Sequence, residues 1–424
     1  MPSTSRSIVL SNHATEFQRQ HSLVRGPDGS LFFAPINRFA LTLPPEITSE
    51  IFLHCLPDAD FIEPDVSSAP LVLCRICREW KRIALGTAGL WASLYIDLAW
   101  FYTQGAVQEE EEEEEEEREG FESPELLDLP VFFRDWISNA RNMPLSLHVE
   151  DDPARDSDLP EDEVQSLFQM IGQRSAQWQK IVLRVSPAYF GLVCPSDSLA
   201  FRSLKHLAVP NARLPETPWM LDIPWNQLTV FRSEQISVSE CVHILRNGPS
   251  LLSLTVHLCR ESYPVPVTAL PPLNLQILEI TETSTELLTL TLVQHLTLPD
   301  LQKLALKFDT PRHTHRDLSR LIAFASRSSF PLQHLTLCLV PVPEALLIQC
   351  LHAFPSVTGL RLQLRQPADD LFRHFQYDVD LLPQLQSLHV VQNFPNSMVP
   401  DSVGLLQMLT ERWGPPNSES GRKS

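Results

Sequence analysis

Cys74 and Cys77 stand two residues apart, the spacing of half a zinc site or of a redox pair. Neither a second CxxC nor an HxxxH accompanies them, and they fall in a segment of helical periodicity, so they read as small packed hydrophobes. His313-x-His315 with Asp317 is the nearest other cluster to a metal site; it follows Pro311 at a loop or helix start, and nothing else supports it. Asp151, Asp152, Asp156 and Asp158 crowd carboxylates as a calcium loop does, but the glycine and terminal glutamate of the EF-hand are missing. There is no G-x-S-x-G, H-E-x-x-H, P-loop or G-x-G-x-x-G. The reading is therefore of a non-enzyme with no metal and no cofactor. What remains is a set of cations, Lys180, Arg184, His206, His257, Lys303, Lys307, His334, Arg361 and His389, with Glu279 the sole acid at an equivalent position. Arrayed on one face, they would take acidic or phosphorylated segments through charge-assisted hydrogen bonds. Scattered solvated charges are the plain alternative.

A repeat would array them. The template L-x-x-L-x-L, with Ile or Val allowed, begins at Leu204, Leu251, Leu275, Leu301, Leu332, Val357 and Leu385, with a weaker copy at Trp178 and a poor one at Leu228. Successive starts lie 26, 24, 23, 24, 26, 31, 25 and 28 residues apart. This period and template are those of a leucine-rich repeat. Pro249, Pro299, Pro355 and Pro383 stand two residues before a start and Pro331 one before, where proline ends a helix and lets a strand begin. Amphipathic helices are predicted between strands: one from Val238 to Leu245 stopped by Gly248, one opened by Pro343, one over 160–174, and a closing helix over 401–413. The fold expected is α/β, a parallel sheet on the concave face of a solenoid with helices behind it. The second and third template positions point inward and the nine cations outward. Eight residues after each start, where such repeats favour Asn, Cys or Thr, only about half of the residues fit, so the repeat is irregular.

The net charge of −19 is local. Residues 109–119 hold ten Glu and one Arg, and residues 150–163 hold eight acids and one Arg, so −9 and −7 together leave only −3 for the rest. With no basic stripe to neutralise phosphates, nucleic acid is not the expected partner. The nine glutamates Glu109–Glu117 cannot form a packed face and read as a low-complexity linker within 98–125. No apolar run reaches the roughly eighteen residues of a membrane helix. The run Ile8-Val9-Leu10 is too short for a secretory signal, so a cytoplasmic or nuclear place is expected.

Residues 39–97 form the first compact unit. Ile47, Ile51 and Cys55 lie four apart beside Phe52, after Pro44-Pro45 at a helix entrance. Residues 58–69 read as a loop, and Leu71–Leu85 as one helix carrying Leu73, Ile76, Cys77, Trp80 and Ile83, followed by Gly86 and Leu90-Trp91. A unit this small buries too little surface to be comfortable alone, and a partner's groove would cover its apolar helices.

The series Leu43-Pro44, Glu46, a hydrophobic helix, Cys77-Arg78-Glu79-Trp80 and Leu90-Trp91 resembles the F-box, and the tract from Trp136 to Leu147 resembles the region that follows it in fungal members. The 58–69 loop is longer than in the family's compact form. The resemblance implies docking on the Skp-family adaptor of a cullin-RING ligase through Leu43, Pro44, Ile47, Ile51, Phe52, Leu73 and Trp80. The expected order is thus a disordered tail over 1–38, an all-helical F-box over 39–97, the acidic linker over 98–125, leucine-rich repeats over 126–413 and a disordered tail over 414–424. The function implied is substrate recognition for an SCF-type ubiquitin ligase. The alternative is a non-catalytic scaffold that binds a partner without promoting ubiquitination.

Overall fold

A computed structural model of the chain describes residues 23–25, 31–33, 43–99, 129–151, 161–186, 189, 192–193, 201–210, 223–259, 270–282, 288–308, 318–338, 342–364 and 369–392. The glutamate run at 109–117, the cluster His313, His315 and Asp317, the carboxylates Asp152, Asp156 and Asp158, and the expected helix at 401–413 lie outside these residues. So do the 414–424 tail and, of the seven residues at the polar turn position, all but Cys259. The chain divides into two compact units, 1–204 and 205–424, and not at the acidic run. Among the described residues the fold is α/β, with eleven parallel strands, three in the first unit and eight in the second, and ten α-helices.

Within 1–38, expected to be wholly a loose tail, strands β1 (Leu23–Arg25) and β2 (Leu31–Phe33) pair antiparallel. The sequence between them contains Pro27-Asp28-Gly29, a turn-forming combination. Helix α1 (Pro45–Leu53) starts after Pro44, whose carbonyl accepts from the Thr48 N–H at 3.1 Å. The single helix predicted over Leu71–Leu85 is two: α2 (Leu71–Ile76) and α3 (Arg78–Gly86). Cys77 is extended at φ −160°, and its Sγ accepts from the Trp80 N–H at 3.4 Å, capping α3. A 3₁₀ turn, Ala88–Trp91, then sets Trp91 so that its Nε1 donates to the Ala84 carbonyl at 2.9 Å.

Strand β3 (Ser93–Asp97) follows immediately and pairs in parallel with β4 (Leu145–Glu150), which pairs with β5 (Trp178–Arg184). Helices α4 (Leu129–Ala140) and α5 (Glu161–Gln173) lie between these strands in sequence. Trp91 meets Trp136 of α4 edge-on at 4.9 Å between centroids. The segment 39–97 is therefore not all-helical: its last strand belongs to the sheet, and its 3₁₀ turn packs on α4 through Trp91. The alternation of Ser-Leu-Tyr-Ile-Asp and Leu-Ser-Leu-His-Val-Glu is the period-two signal that reveals β3 and β4.

In the second unit β6 (His206–Val209), β7 (Val230–Ile236), β8 (Ser253–Leu258), β9 (Ile277–Glu282), β10 (Lys303–Phe308), β11 (His334–Cys338), β12 (Gly359–Leu364) and β13 (Ser387–Gln392) are parallel, each beside the next. Between them run α6 (Val238–Asn247), α7 (Leu288–Val293), α8 (Ser319–Ser328), α9 (Glu344–His352) and α10 (Asp369–Tyr377). Every template residue from Leu204 to Leu362 is buried, those of the poor copy at Leu228 and Phe231 included, and in the last copy Leu385 is buried while Leu388 and Val390 are half-buried. The template's third position in that copy is Ser233, a buried serine, which is why the sequence signal fades there. Helix α6 has a full capping box between Ser237 and Glu240 and ends on Gly248, and Pro343 opens α9.

One main-chain device recurs in every repeat of this unit. The carbonyl of the residue after each template start accepts two N–H groups from the next repeat: Lys205 from Thr229 and Val230, Thr229 from Leu252 and Ser253, Leu252 from Gln276 and Ile277. Gln276, Gln302, Gln333 and Thr358 continue it to Ser387 at 2.7–3.0 Å. These rungs keep the copies equivalent although their lengths differ.

Candidate partner-binding site

Helix α1 has two faces. Thr48 and Phe52 point into the core, where Phe52 packs on Trp80 with centroids 4.9 Å apart. Ile47 and Ile51, one turn apart, point outward and remain 50% and 45% exposed. Cys55 beyond them is exposed as well, so the stripe expected to be apolar and shared faces solvent along its length. The seven expected adaptor contacts thus separate by position. Ile47, Ile51 and Pro44 are exposed, and Leu43 and Trp80 are half-buried. Phe52 and Leu73 are buried at 1% and 3% and cannot touch a partner; they fix the helices that present the others. Val66 and Ile76, neither of them among the expected adaptor contacts, are also exposed. Ile47 and Ile51 of α1, Val66 of the loop and Ile76 of α2 thus all stand in water.

The cysteines here do structural work. Cys77 caps α3, and burial pushes the Cys74 thiol up to about 11, which keeps it protonated. Among the described residues no three metal-binding side chains gather.

The open face of the sheet carries the cations, and the second unit holds seven of them where the repeat predicts. On it Lys307 and Arg361 are exposed and flank Cys338, whose thiol is raised by burial and lowered by both cations. His334 and His389 are exposed, and His206 is half-buried. His257 is half-buried too; burial lowers its pKa, with Arg232 and Lys307 acting in the same direction and Glu234 against them. Arg232, exposed on β7, was hidden by the poor copy; its Nη2 donates to Glu234 on the same strand at 3.3 Å. Lys303 is not available as expected, because its Nζ lies 2.6 Å from Glu279 on the neighbouring strand. At Gly359 a side chain would meet the His334 ring at 2.6 Å, so the missing Cβ is what lets that imidazole lie across β12.

In the first unit the expected cations are already engaged. Lys180 is 2.8 Å from Asp60 and stands 4.6 Å over the Phe61 ring. Arg184 is 3.4 Å from Glu150, which also accepts from the Tyr95 hydroxyl at 3.0 Å. Tyr95, His148, Glu150, Asp60 and Phe61 were invisible to the reading because β3, β4 and the course of the loop were not foreseen.

No helix among the described residues is long and apolar enough to cross a membrane. No family model matches the sequence, and no curated protein matches it. Among solved structures the chain resembles a crystal structure of a protein from Bacteroides fragilis, at 12% identity over 73% of this chain and 80% of that one, with a TM-score of 0.30.

Proposed function

We propose that this chain is the substrate-recognition subunit of an SCF-type ubiquitin ligase: the F-box-like helices α1–α3 dock on a Skp-family adaptor, and the leucine-rich repeats hold a protein target. The observation that carries the reading is the pair Ile47 and Ile51, half in water on a helix whose other face is core. Covering two such side chains contributes about 1 kcal/mol each. The target face is the band of Lys307, Arg361, His334 and His389, which suits an acidic or phosphorylated segment.

Pull-down of the adaptor by the full chain tests the first part. Ile47→Lys weakens capture at least tenfold while thermal stability stays within about 0.5 kcal/mol, as for an exposed site. Trp80→Ala weakens capture too. Phe52→Ala instead costs about 3–5 kcal/mol of stability, because it opens a cavity. Failure of the wild-type chain to bind the adaptor ends the reading. Binding without target turnover makes the chain a scaffold.

A further inference from the structure

Residues 60–62 leave the helices and run onto the open face of the first unit's sheet. Asp60 meets the Lys180 Nζ, and the Phe61 ring lies 4.6 Å under that Nζ with the His148 ring 5.2 Å away, edge-on. The Ile62 carbonyl accepts from the Tyr95 N–H at 2.8 Å. Tyr95 is on β3, the last strand in the sheet order, so this is the bond an added strand would make. The grip is uneven. Ile62 is buried at 4%, whereas the Asp60 side chain is 82% exposed. A helix connection needs Ile62 as its anchor; it needs neither a carboxylate nor a ring on the sheet.

We propose that the open face of β3–β5 is a docking site for an extended peptide carrying a carboxylate followed directly by an aromatic residue, and that Asp60-Phe61 occupies it as an internal competitor. Lys180 takes the carboxylate. The gap between Lys180 and His148 takes the ring, with the cation over its face and the imidazole at its edge. Glu150 holds Tyr95 and Arg184 around that gap. The Asp60 side chain is 82% exposed, so its ion pair with Lys180 holds it weakly. The Ser93 hydroxyl also donates to the Asp60 carbonyl at 3.3 Å. An outside peptide displaces the carboxylate and the half-buried Phe61 ring while Ile62 stays. Being tethered, the pair acts at a high effective concentration and keeps looser competitors out. The inference goes beyond the ligase reading and does not depend on what α1 binds.

The probe is a fluorescein-labelled copy of residues 58–63, titrated into the full chain by fluorescence polarisation. The double variant Asp60→Ala/Phe61→Ala binds it about tenfold more tightly than wild type, since the tethered rival is gone. Adding Lys180→Ser to that variant returns the affinity to the wild-type level. Equal affinity for wild type and double variant, no binding to either, or a gain that survives Lys180→Ser overturns the proposal. Thermal melts of each protein separate folding defects from binding; if the double variant melts early, Phe61→Ala alone is judged by the same outcomes.

Discussion

His148 sits between the Phe61 and Tyr95 rings, with Glu150 3.7 Å from its Nε2 and Lys180 and Arg184 nearby. Burial is the main reason its pKa is lowered from 6.5, with Arg184 and Lys180 acting the same way and Glu150 opposing them. The unfolded chain therefore binds a proton at a higher pH than the folded one. Stability is full above the ordinary histidine range and falls as pH drops through it toward the folded value. His257 acts with the same sign. Urea midpoints measured from pH 8 to pH 5 should decline on the acid side, and His148→Asn should flatten part of that decline. At this scale the sequence is read well where one residue type sits on a repeat lattice, as Lys307 and Arg361 do. It is read poorly where a loop decides who meets whom. Nothing in the spacing of Asp60 and Lys180 announces that they touch across 120 residues of chain.

Helix α7 shows how neighbours hold an element that cannot hold itself. It has six residues, Leu-Thr-Leu-Thr-Leu-Val, too few to persist alone and with threonines that disfavour helix. At its start the buried Glu282 of β9 accepts from the N–H groups of Leu288 and Thr289 at 3.1 and 3.0 Å. At its end Arg327 of α8 donates to the carbonyls of Val293 and Leu296. Glu282→Ala strands two donors and should cost about 2 kcal/mol in denaturant titration, with Glu282→Gln, which keeps one acceptor, costing about half. Elements with buried leucines at fixed spacing were legible, since burial imposes the pattern. The break at Cys77 was not, because the apolar positions on either side keep helical spacing across a residue whose backbone is extended. β3 and β4 escaped because five or six alternating residues carry a short signal that the louder helical unit beside them masks.

For the molecule as a whole, charge and sequence order pull apart. The chain is acidic by 19 units, yet the open face of its second unit bears Lys307, Arg361 and the exposed His334 and His389. A target drawn by that face should be held less tightly in salt. Capture of a phosphorylated acidic peptide should weaken several-fold between 50 and 300 mM NaCl, and Lys307→Glu/Arg361→Glu should abolish it, with peptide retention on the immobilised chain as the measure. Fold class was legible at this scale because a period of about two dozen residues repeats nine times over. The unit boundary was not, since no shift in composition marks the division between Leu204 and Lys205. The carbonyl that takes two donors from the following copy has a longer reach than stability. It asks nothing of side chains, and between Lys205 and Thr358 it is supplied by lysine, threonine, leucine and glutamine alike. Whole copies can thus be gained, lost or lengthened, and their outward residues rewritten, with the join between them intact. Substituting the outward residues of one copy therefore leaves the framework underneath it unchanged.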